Sequence, residues 1–249
     1  MSANVRIIAR LDIKGPNVVK TVRSEGLRVI GDPKVLAEKY YAEGIDELIY
    51  IDIVASLYQR NLDFEQLRAV SEHLFIPLTV GGGIRSIHDI QEALRCGADK
   101  IAINTHAIRD PQFLSEAAHV FGSQCIVLSI EAKRRQAGGW EALTDGGREH
   151  SGRDVLEWIK EGIERGAGEI LLTSVDSDGT RAGYDLDLIQ AVQAVASVPL
   201  IVHGGAGSPN DILSIVNMGV RAPSALDWRR SRSRPRSSQR RTRWPHPAC

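Results

Sequence analysis

The stretch PLTVGGGI at residues 77–84 decides how this chain folds. Apolar and β-branched residues run directly into three glycines, as in a buried parallel strand that ends in a turn wide enough for a phosphate. A second copy, PLIVHGGA at residues 199–206, stands 122 positions later, and the same offset aligns Glu47 with Glu169. The chain is therefore predicted to be built from two homologous halves.

A self-similar array of strands and helices of this size predicts an α/β fold, the (β/α)8 TIM barrel, with four strands from each half-barrel. The chain has 249 residues, of which 43% are hydrophobic, enough for the core of one such barrel. We expect residues 1–219 to form the barrel domain and residues 220–249 to form a disordered, Arg-rich tail. Residues 14–32 are predicted to be a long polar loop and residues 134–150 a small hairpin above the barrel.

The C-terminal end of the chain departs from the repeat. Pro223 stands in the expected strand eight and cannot donate a ladder hydrogen bond, so strand and helix eight are predicted to be defective. Residues 221–249 contain nine Arg and one acid, Asp227, although the formal net charge of the whole chain is zero. This composition is compatible with a basic arm for nucleic acid, or with an ending that is not under selection, such as out-of-frame translation. The abrupt change inside an expected core element favours the second interpretation, so no nucleic acid partner is expected.

Composition argues against several other classes of protein. No apolar stretch approaches the ~18 residues of a membrane span, and residues 1–4 do not open a signal peptide, so we expect a cytoplasmic protein without a membrane partner. Cys96, Cys125 and Cys249 lack the spacing of metal ligands. Hence no metal site and no disulfide are predicted, and Cys96 and Cys125 are interpreted as small buried hydrophobes.

Two acids occupy equivalent ends of predicted strands one and five. In a (β/α)8 barrel, the side chains at the C-terminal ends of the strands form the active site. Asp12 and Glu131 would therefore face each other across the barrel and divide general base and general acid work. The alternative, that each acid only caps the following loop, fits one acid alone better than a symmetric pair.

Two glycine-rich turns lie at the same ends of the strands. Residues 81–83 with Asn104 and Thr105 would present backbone N–H groups and short donors to one phosphate. Residues 178–180 with residues 204–205 would offer the same to a second. Structural turns would explain either set alone, whereas both together indicate an elongated substrate with a phosphate at each end.

Four charged residues are predicted at the opposite rim of the barrel, at or before the N-terminal ends of strands. They are Arg6, Glu47, Lys100 and Glu169. Two interpretations stay open from the residues alone: ordinary solvated strand starts, or a ring of ion pairs that closes the bottom of the barrel axis.

Seven motifs spread over residues 5–219 carry a family resemblance. They are LDI at 11–13, GIDELIYIDI at 44–53, TVGGGI at 79–84, GADKIAIN at 97–104, FGSQ at 121–124, GAGEILLTSVDSDGTRAGYD at 166–185 and GGAG at 204–207. Together they resemble the cyclase subunit of imidazole glycerol phosphate synthase.

The resemblance implies a (β/α)8 lyase of histidine biosynthesis that forms a heterodimer with a glutaminase subunit docked at the bottom of the barrel. Ammonia from that subunit would attack the bis-phosphorylated phosphoribulosyl-formimino aminoimidazole carboxamide ribonucleotide. Cleavage and ring closure would then give imidazole glycerol phosphate and aminoimidazole carboxamide ribonucleotide, without a cofactor.

The resemblance also implies roles for individual residues. Asp12 matches the catalytic aspartate of strand one, Glu131 stands at the place of the second catalytic acid, and Lys20 matches the lysine of a mobile loop. The other matches are Gly83, Asn104 and Thr105 for one phosphate, Asp178, Gly179 and Gly205 for the other, Arg6, Glu47, Lys100 and Glu169 for an ammonia gate, and Asp99 and Gln124 near the glutaminase interface.

Several positions depart from the family pattern. The second catalytic acid is Glu131 instead of aspartate, Arg10 stands where the family has cysteine, and His203 replaces a small residue before GGAG. The extra methylene of Glu131 displaces its carboxyl, and a displacement of ~1 Å can cost on the order of 100-fold in rate. The altered end also removes the serine of strand eight, which Ser224 replaces only if the strand register slips.

Two alternative functions stay open at this point. The departures are typical of paralogues that use the same barrel and a glutaminase partner to amidate cell-surface sugars. A chain with a defective strand eight is also compatible with a non-catalytic, truncated barrel that only binds its glutaminase and exposes unpaired strand edges.

Overall fold

The structure is a computed structural model that describes residues 5–225. The strands of this part of the chain are β1 Ile8–Lys14, β2 Asn17–Val22, β3 Glu25–Gly31, β4 Glu47–Asp52, β5 Leu78–Gly81, β6 Lys100–Ile103, β7 Ile126–Arg134, β8 Trp140–Thr144, β9 Glu149–Asp154, β10 Glu169–Ser174, β11 Leu200–His203 and β12 Ala222–Ala225. Eight of them pair in parallel in the order β1, β4, β5, β6, β7, β10, β11 and β12, and β12 pairs with β1. The sheet is therefore closed, and the predicted (β/α)8 barrel is confirmed.

Helices follow the barrel strands and cover their outer faces. They are α1 Pro33–Ala42, α2 Phe64–Ser71, α3 Ile87–Arg95, α4 Thr105–Arg109, α5 Gln112–Phe121, α6 Val155–Glu164, α7 Leu186–Gln193 and α8 Pro209–Asn217, with a 3-10 turn at Ser123–Cys125. Several begin at an acid whose carboxylate accepts a hydrogen bond from the first turn, as Asp154 does from the Leu156 N–H at 2.8 Å. Within residues 5–225, no helix is both long enough and apolar enough to cross a bilayer.

The barrel interior is arranged in layers, because successive side chains of a strand point to opposite faces. On β1, Leu11 and Ile13 pack outward against the helices, whereas Ile8 belongs to a separate apolar cluster inside the barrel. The other buried members of that cluster are Ile49, Ala102, Val127, Leu171, Ile201 and Ala222. By the same alternation, Arg10 and Asp12 lie inside the barrel above this apolar layer.

The prediction that strand eight is defective is wrong. Residues 222–225 form β12, with Ala222 opposite Ile201 and Ser224 opposite Ile8. The strand tolerates Pro223 because the barrel neighbours on both sides still hold it, and the Tyr184 hydroxyl donates to the Ser224 carbonyl at 3.0 Å. The barrel thus continues past the predicted boundary at residue 219. The predictions about helix eight and the Arg-rich tail fall on residues 226–249, outside the described residues.

The register of β12 is the one that the repeat predicts. Ile201 faces Ala222 in the second half, as Thr79 faces Lys100 in the first, with both pairs related by the same offset. No register slip occurs, so Ser224 occupies the position equivalent to Ala102.

The prediction of a polar loop over residues 14–32 is also wrong. This segment forms the hairpin β2–β3, in which β2 pairs antiparallel with the end of β1. Val18 and Val19 are fully buried, and this apolar contact is why an ordered hairpin forms in a segment rich in glycine and polar residues. The other predicted excursion, over residues 134–150, is confirmed, because β8 and β9 form a hairpin that continues from β7.

Candidate active site

The two predicted acids lie at the same mouth of the barrel. Asp12 lies near the C-terminal end of β1, and Glu131 lies near the C-terminal end of β7, four strands away around the barrel. Both side chains are more than nine-tenths buried. Asp12 lines one pocket of the mouth and Glu131 lines the other. The structure therefore places both carboxyl groups at one mouth, in two pockets, and their shared catalytic work stays a prediction.

A buried arginine contacts Asp12 and lies within electrostatic reach of Glu131. The Arg10 Nε donates to the Asp12 Oδ1 at 2.8 Å, and its Nη1 donates to the Thr173 Oγ1 at 2.8 Å. Burial disfavours the charged guanidinium, but the carboxylates of Asp12, Glu131 and Asp178 outweigh burial and raise the pKa of Arg10 above its ordinary value. The mouth thus contains a permanent internal cation that sequence reasoning noted only as a departure from the family.

The Glu131 carboxyl lies in an environment that favours its neutral form. Burial raises the pKa of Glu131 from 4.5 to about 7, with Arg10 opposing the rise and Asp12 adding to it. Its Oε2 atom is buried and has no hydrogen-bond partner among the described residues. The turn between β8 and β9 closes over it, since a Cβ added at Gly147 would lie 3.1 Å from this oxygen. A carboxyl with this pKa can give or take a proton near neutral pH.

The first glycine-rich turn lines the pocket that contains Glu131. Gly83, Asn104 and Thr105 all contribute to its wall. A Cβ at Gly82 would lie 2.1 Å from the Asp52 carbonyl oxygen, so this turn needs glycine. The Asn104 Nδ2 donates to the Leu143 carbonyl at 3.1 Å, and this contact fixes the β8–β9 hairpin over the pocket.

The second glycine-rich turn lines the pocket that contains Asp12. Asp178, Gly179 and Gly205 meet there with Ser224 and with Lys20 from β2. All three predicted residues of the second phosphate site, and the predicted loop lysine, are therefore neighbours of Asp12. The pocket wall also includes Thr21, Arg181, His203, Gly204 and Ala206.

Asp178 connects the second pocket to the hairpin above it. The Thr21 Oγ1 donates to the Asp178 Oδ2 at 2.9 Å, and the His203 Nε2 lies 3.5 Å from the Asp178 Oδ1. Burial opposes ionisation, but these two partners and the charge of Arg10 lower the pKa of Asp178 below its ordinary value. The other ring nitrogen of His203 contacts the Ser224 hydroxyl at 3.2 Å. Asp178 is therefore a well-satisfied carboxylate.

The opposite end of the barrel contains a closed ring of ion pairs. Arg6 bonds Glu47 at 2.6 Å and Glu169 at 2.7 Å. Lys100 lies 2.7 Å from Glu169 and 3.6 Å from Glu47, which completes the ring. Of the two interpretations left open above, the ion ring is the one observed. Asp12 lies six positions after Arg6 along β1 and its leading segment, so the ring lies at most about 20 Å from Asp12 along the strand.

Comparison with known proteins supports the family resemblance that the sequence motifs indicate. A family model described as histidine biosynthesis protein matches residues 6–225. This chain belongs to that family. The chain is 58% identical over 205 residues to the imidazole glycerol phosphate synthase subunit HisF of Legionella pneumophila, covering 82% of this chain and 97% of the relative. It is 49% identical to the HisF subunits of Streptococcus sanguinis, over 84% of this chain and 83% of the relative, and of Mycobacteroides abscessus, over 89% of each.

Asp99 and Gln124, which were predicted to be near a partner subunit, lie at the end of the barrel that contains the ion ring. Gln124 lines a depression together with Arg6, Lys100 and Glu169. Asp99 lines a neighbouring depression and accepts a hydrogen bond from the Leu78 N–H at 2.8 Å. The structure thus brings both residues to the face that contains the ring, and their contact with a partner stays a prediction.

Sequence reasoning missed Asp52 at this site of the histidine biosynthesis protein. Asp52 ends β4, is 4% exposed, lines the pocket of Glu131 and pairs with Arg60 at 2.6 Å. An available signal was the run ELIYID, which ends in an acid after apolar residues as LDI does at Asp12. Within residues 5–225, no group of three or more His, Cys, Asp and Glu is arranged to hold a metal ion.

Proposed function

We propose that this chain is the cyclase subunit of an imidazole glycerol phosphate synthase. It would take ammonia and the bis-phosphorylated phosphoribulosyl-formimino aminoimidazole carboxamide ribonucleotide, and release imidazole glycerol phosphate and aminoimidazole carboxamide ribonucleotide. We also propose a cytoplasmic location, because the substrate is a phosphorylated metabolite of central biosynthesis. The family membership and the identity to HisF subunits support this proposal.

One observation carries the proposal. Asp12 and Glu131 come from opposite half-barrels, and each lines a pocket closed by a glycine-rich turn of the other half. An elongated substrate with an anionic group at each end fits two such pockets, with its reacting centre between the two acids. The geometry supports a ligand whose phosphates bind at Gly83, Asn104 and Thr105 on one side and at Gly179 and Gly205 on the other.

The charge states of the acids suggest how they divide the chemistry. Glu131, with a pKa of about 7, is the better proton donor to the leaving amine of the aminoimidazole product. Asp12 is paired with Arg10 as a carboxylate and is suited to accept a proton from the attacking ammonia. Lys20 lies in the pocket of Asp12 and would contribute a positive charge to the phosphate bound there.

The opposite end of the barrel is suited to supply ammonia. The ion ring of Arg6, Glu47, Lys100 and Glu169 lies below an apolar layer, and an apolar path favours neutral ammonia over ammonium. We propose that a glutaminase subunit docks on this face, with Asp99 and Gln124 in or beside the contact, to form a heterodimer.

The truncated-barrel alternative depended on unpaired strand edges. The pairing of β12 with both β1 and β11 leaves no open edge in the barrel, which favours a catalytic subunit over a remnant. The sugar-amidating alternative shares the barrel and the ammonia supply, so a substrate assay must separate it from the leading proposal.

The test is turnover of the bis-phosphate by the full chain with an ammonium salt in place of glutaminase. We expect one aminoimidazole carboxamide ribonucleotide per substrate consumed, measured by chromatography. Asp12→Asn should lower this rate by about 100-fold or more, because it removes a proton acceptor. Asp187→Asn, which changes an exposed carboxylate outside both pockets, is the matched control. Absence of turnover with the bis-phosphate, together with ammonia-dependent amidation of a sugar acceptor, would contradict the proposal in favour of the paralogue.

A further inference from the structure

The guanidinium of Arg10 crosses the interior of the barrel. It bonds Asp12 on its own strand, β1, and Thr173 on β10, two strands that are separated around the sheet by β11 and β12. Arg10 is 4% exposed and contributes to the lining of neither pocket at the mouth. An arginine in this position contacts Asp12, acts on Glu131 and Asp178 through its charge, and does not line the two pockets.

We propose that Arg10 is a positioning residue, which fixes the Asp12 carboxylate and balances the charge of the acids so that Glu131 is left to exchange protons. This inference rests on the proposed function and deepens it, by assigning separate tasks to two acids that symmetry alone would make equivalent. It also assigns a role to Arg10, a positively charged residue at a position where the family pattern has an uncharged cysteine.

The charged groups around the mouth support this assignment. The acids that face Arg10 are Asp12 from β1, Glu131 from β7 and Asp178 after β10, and the other basic side chains near them are Arg148 and His203. Asp12 has Arg10 as its partner, and Asp178 has Thr21 and His203. Among the side-chain oxygens of these three acids, only the Oε2 of Glu131 is buried without a hydrogen-bond partner in the described part of the chain.

The fork geometry of Arg10 explains why an arginine serves here. Its Nε donates to Asp12 and its Nη1 donates to Thr173, each at 2.8 Å. The contact with Thr173 fixes the guanidinium, and the guanidinium in turn fixes the Asp12 carboxylate. A lysine at this position would keep the charge but would have one nitrogen for both contacts. A neutral residue would lose the charge and both contacts.

The test compares Arg10→Met and Arg10→Lys with Arg153→Met, a control that removes an arginine from an ion pair with Glu161 away from the mouth. For ammonia-dependent turnover, we expect Arg10→Met to lower kcat by about 10-fold to 100-fold, a range set by the cost of a misplaced catalytic group. The KM for the bis-phosphate should change by less than about twofold, because Arg10 lines neither pocket. Arg10→Lys should recover part of kcat, and Arg153→Met should leave both constants unchanged.

A second readout is independent of turnover. The Glu131 carboxyl is titrated by NMR in protein labelled with ¹³C-glutamate, and its signal is assigned by its loss in Glu131→Gln. Because the charge of Arg10 lowers the pKa of Glu131, the titration should move to higher pH in Arg10→Met and much less in Arg10→Lys. The same displacement is expected for the limb of the pH–kcat profile that Glu131 sets.

The outcomes separate the two proposals. A displaced Glu131 titration in a chain that does not turn over the bis-phosphate would reject the proposed function and support the role of Arg10. An unchanged Glu131 titration in Arg10→Met, or equal losses of kcat in the Met and Lys variants, would overturn the role of Arg10. If Arg10→Met does not fold, Thr173→Val is used: it should lower kcat several-fold with the Glu131 titration unchanged, and an unaltered kcat would overturn the proposal.

Discussion

At the scale of single residues, the departures from the family pattern explain one another. Glu131 is longer than the expected aspartate and lies in a buried position that favours its neutral form, while Arg10 is a cation that opposes this effect. His203 adds a partner for Asp178, the third acid at the mouth. The two basic departures, Arg10 and His203, therefore each have an acidic partner within the same mouth, as expected where charges are buried together.

The pKa of Glu131 makes a testable claim about stability. Because this pKa is raised from 4.5 to about 7, the folded chain keeps a proton over a range in which the unfolded chain releases it. The stability that comes from neutral Glu131 is complete below about pH 4.5 and is lost as the pH rises through about 7. The loss is on the order of 3 kcal/mol, from the free energy that corresponds to each pKa unit.

Glu131→Gln cannot ionise, so this part of the pH dependence should disappear. We expect the variant to be more stable than the original chain at about pH 8 and close to it at about pH 4, measured by urea unfolding. Glu116→Gln, in an exposed position on α5, is the control and should follow the original chain. If Glu131→Gln shows the same pH dependence as the original chain, the ionisation belongs to another group.

At the scale of elements, the sequence predicted what short-range patterns determine. Strands that end in glycine, the repeat between Glu47 and Glu169, and the hairpin after β7 all follow from local composition and spacing. The hairpin β2–β3 was missed because two buried valines, Val18 and Val19, outweigh a composition typical of a loop. Strand β12 was missed because Pro223 is unfavourable locally, whereas the neighbours on both sides of a closed barrel hold the strand.

The hold on β12 can be tested at Tyr184. Its buried hydroxyl donates to the carbonyl of Ser224 at 3.0 Å. Ser224 directly follows Pro223 in the same short strand. Tyr184→Phe leaves this carbonyl without that donor, so we expect the free energy of unfolding to fall by about 1 to 2 kcal/mol. Tyr58→Phe, at a side chain that is 59% exposed, should change it little. Equal stability of the two variants would mean that the Tyr184 contact does not secure the strand.

At the scale of the whole molecule, some features of the site were beyond sequence reasoning. Asp12 and Glu131 could be predicted because the ends of barrel strands converge on one mouth. The contact of Arg10 with Thr173 joins residues 163 positions apart across the barrel, and no local spacing encodes it. The ion ring could be predicted in part. The four charged residues were predicted to lie at one rim of the barrel, but whether they form ion pairs was left open.

The ion ring allows a prediction that involves both ends of the barrel. Lys100 is the ring member that contacts Glu169 at 2.7 Å and Glu47 at 3.6 Å, so Lys100→Met leaves both carboxylates with Arg6 as their remaining partner in the ring. If the ring controls ammonia entry from a docked glutaminase, glutamine-dependent product formation should fall several-fold relative to ammonia-dependent formation, because an opened ring lets ammonia escape and water enter. The mouth is separated from the ring by an apolar layer, so turnover with added ammonium salt should change little. The measurement is the ratio of glutamate released to imidazole glycerol phosphate formed in the reconstituted complex. The matched control is Lys34→Met, which removes a lysine from an exposed ion pair with Glu72. An unchanged ratio in Lys100→Met would show that ammonia does not pass through this ring.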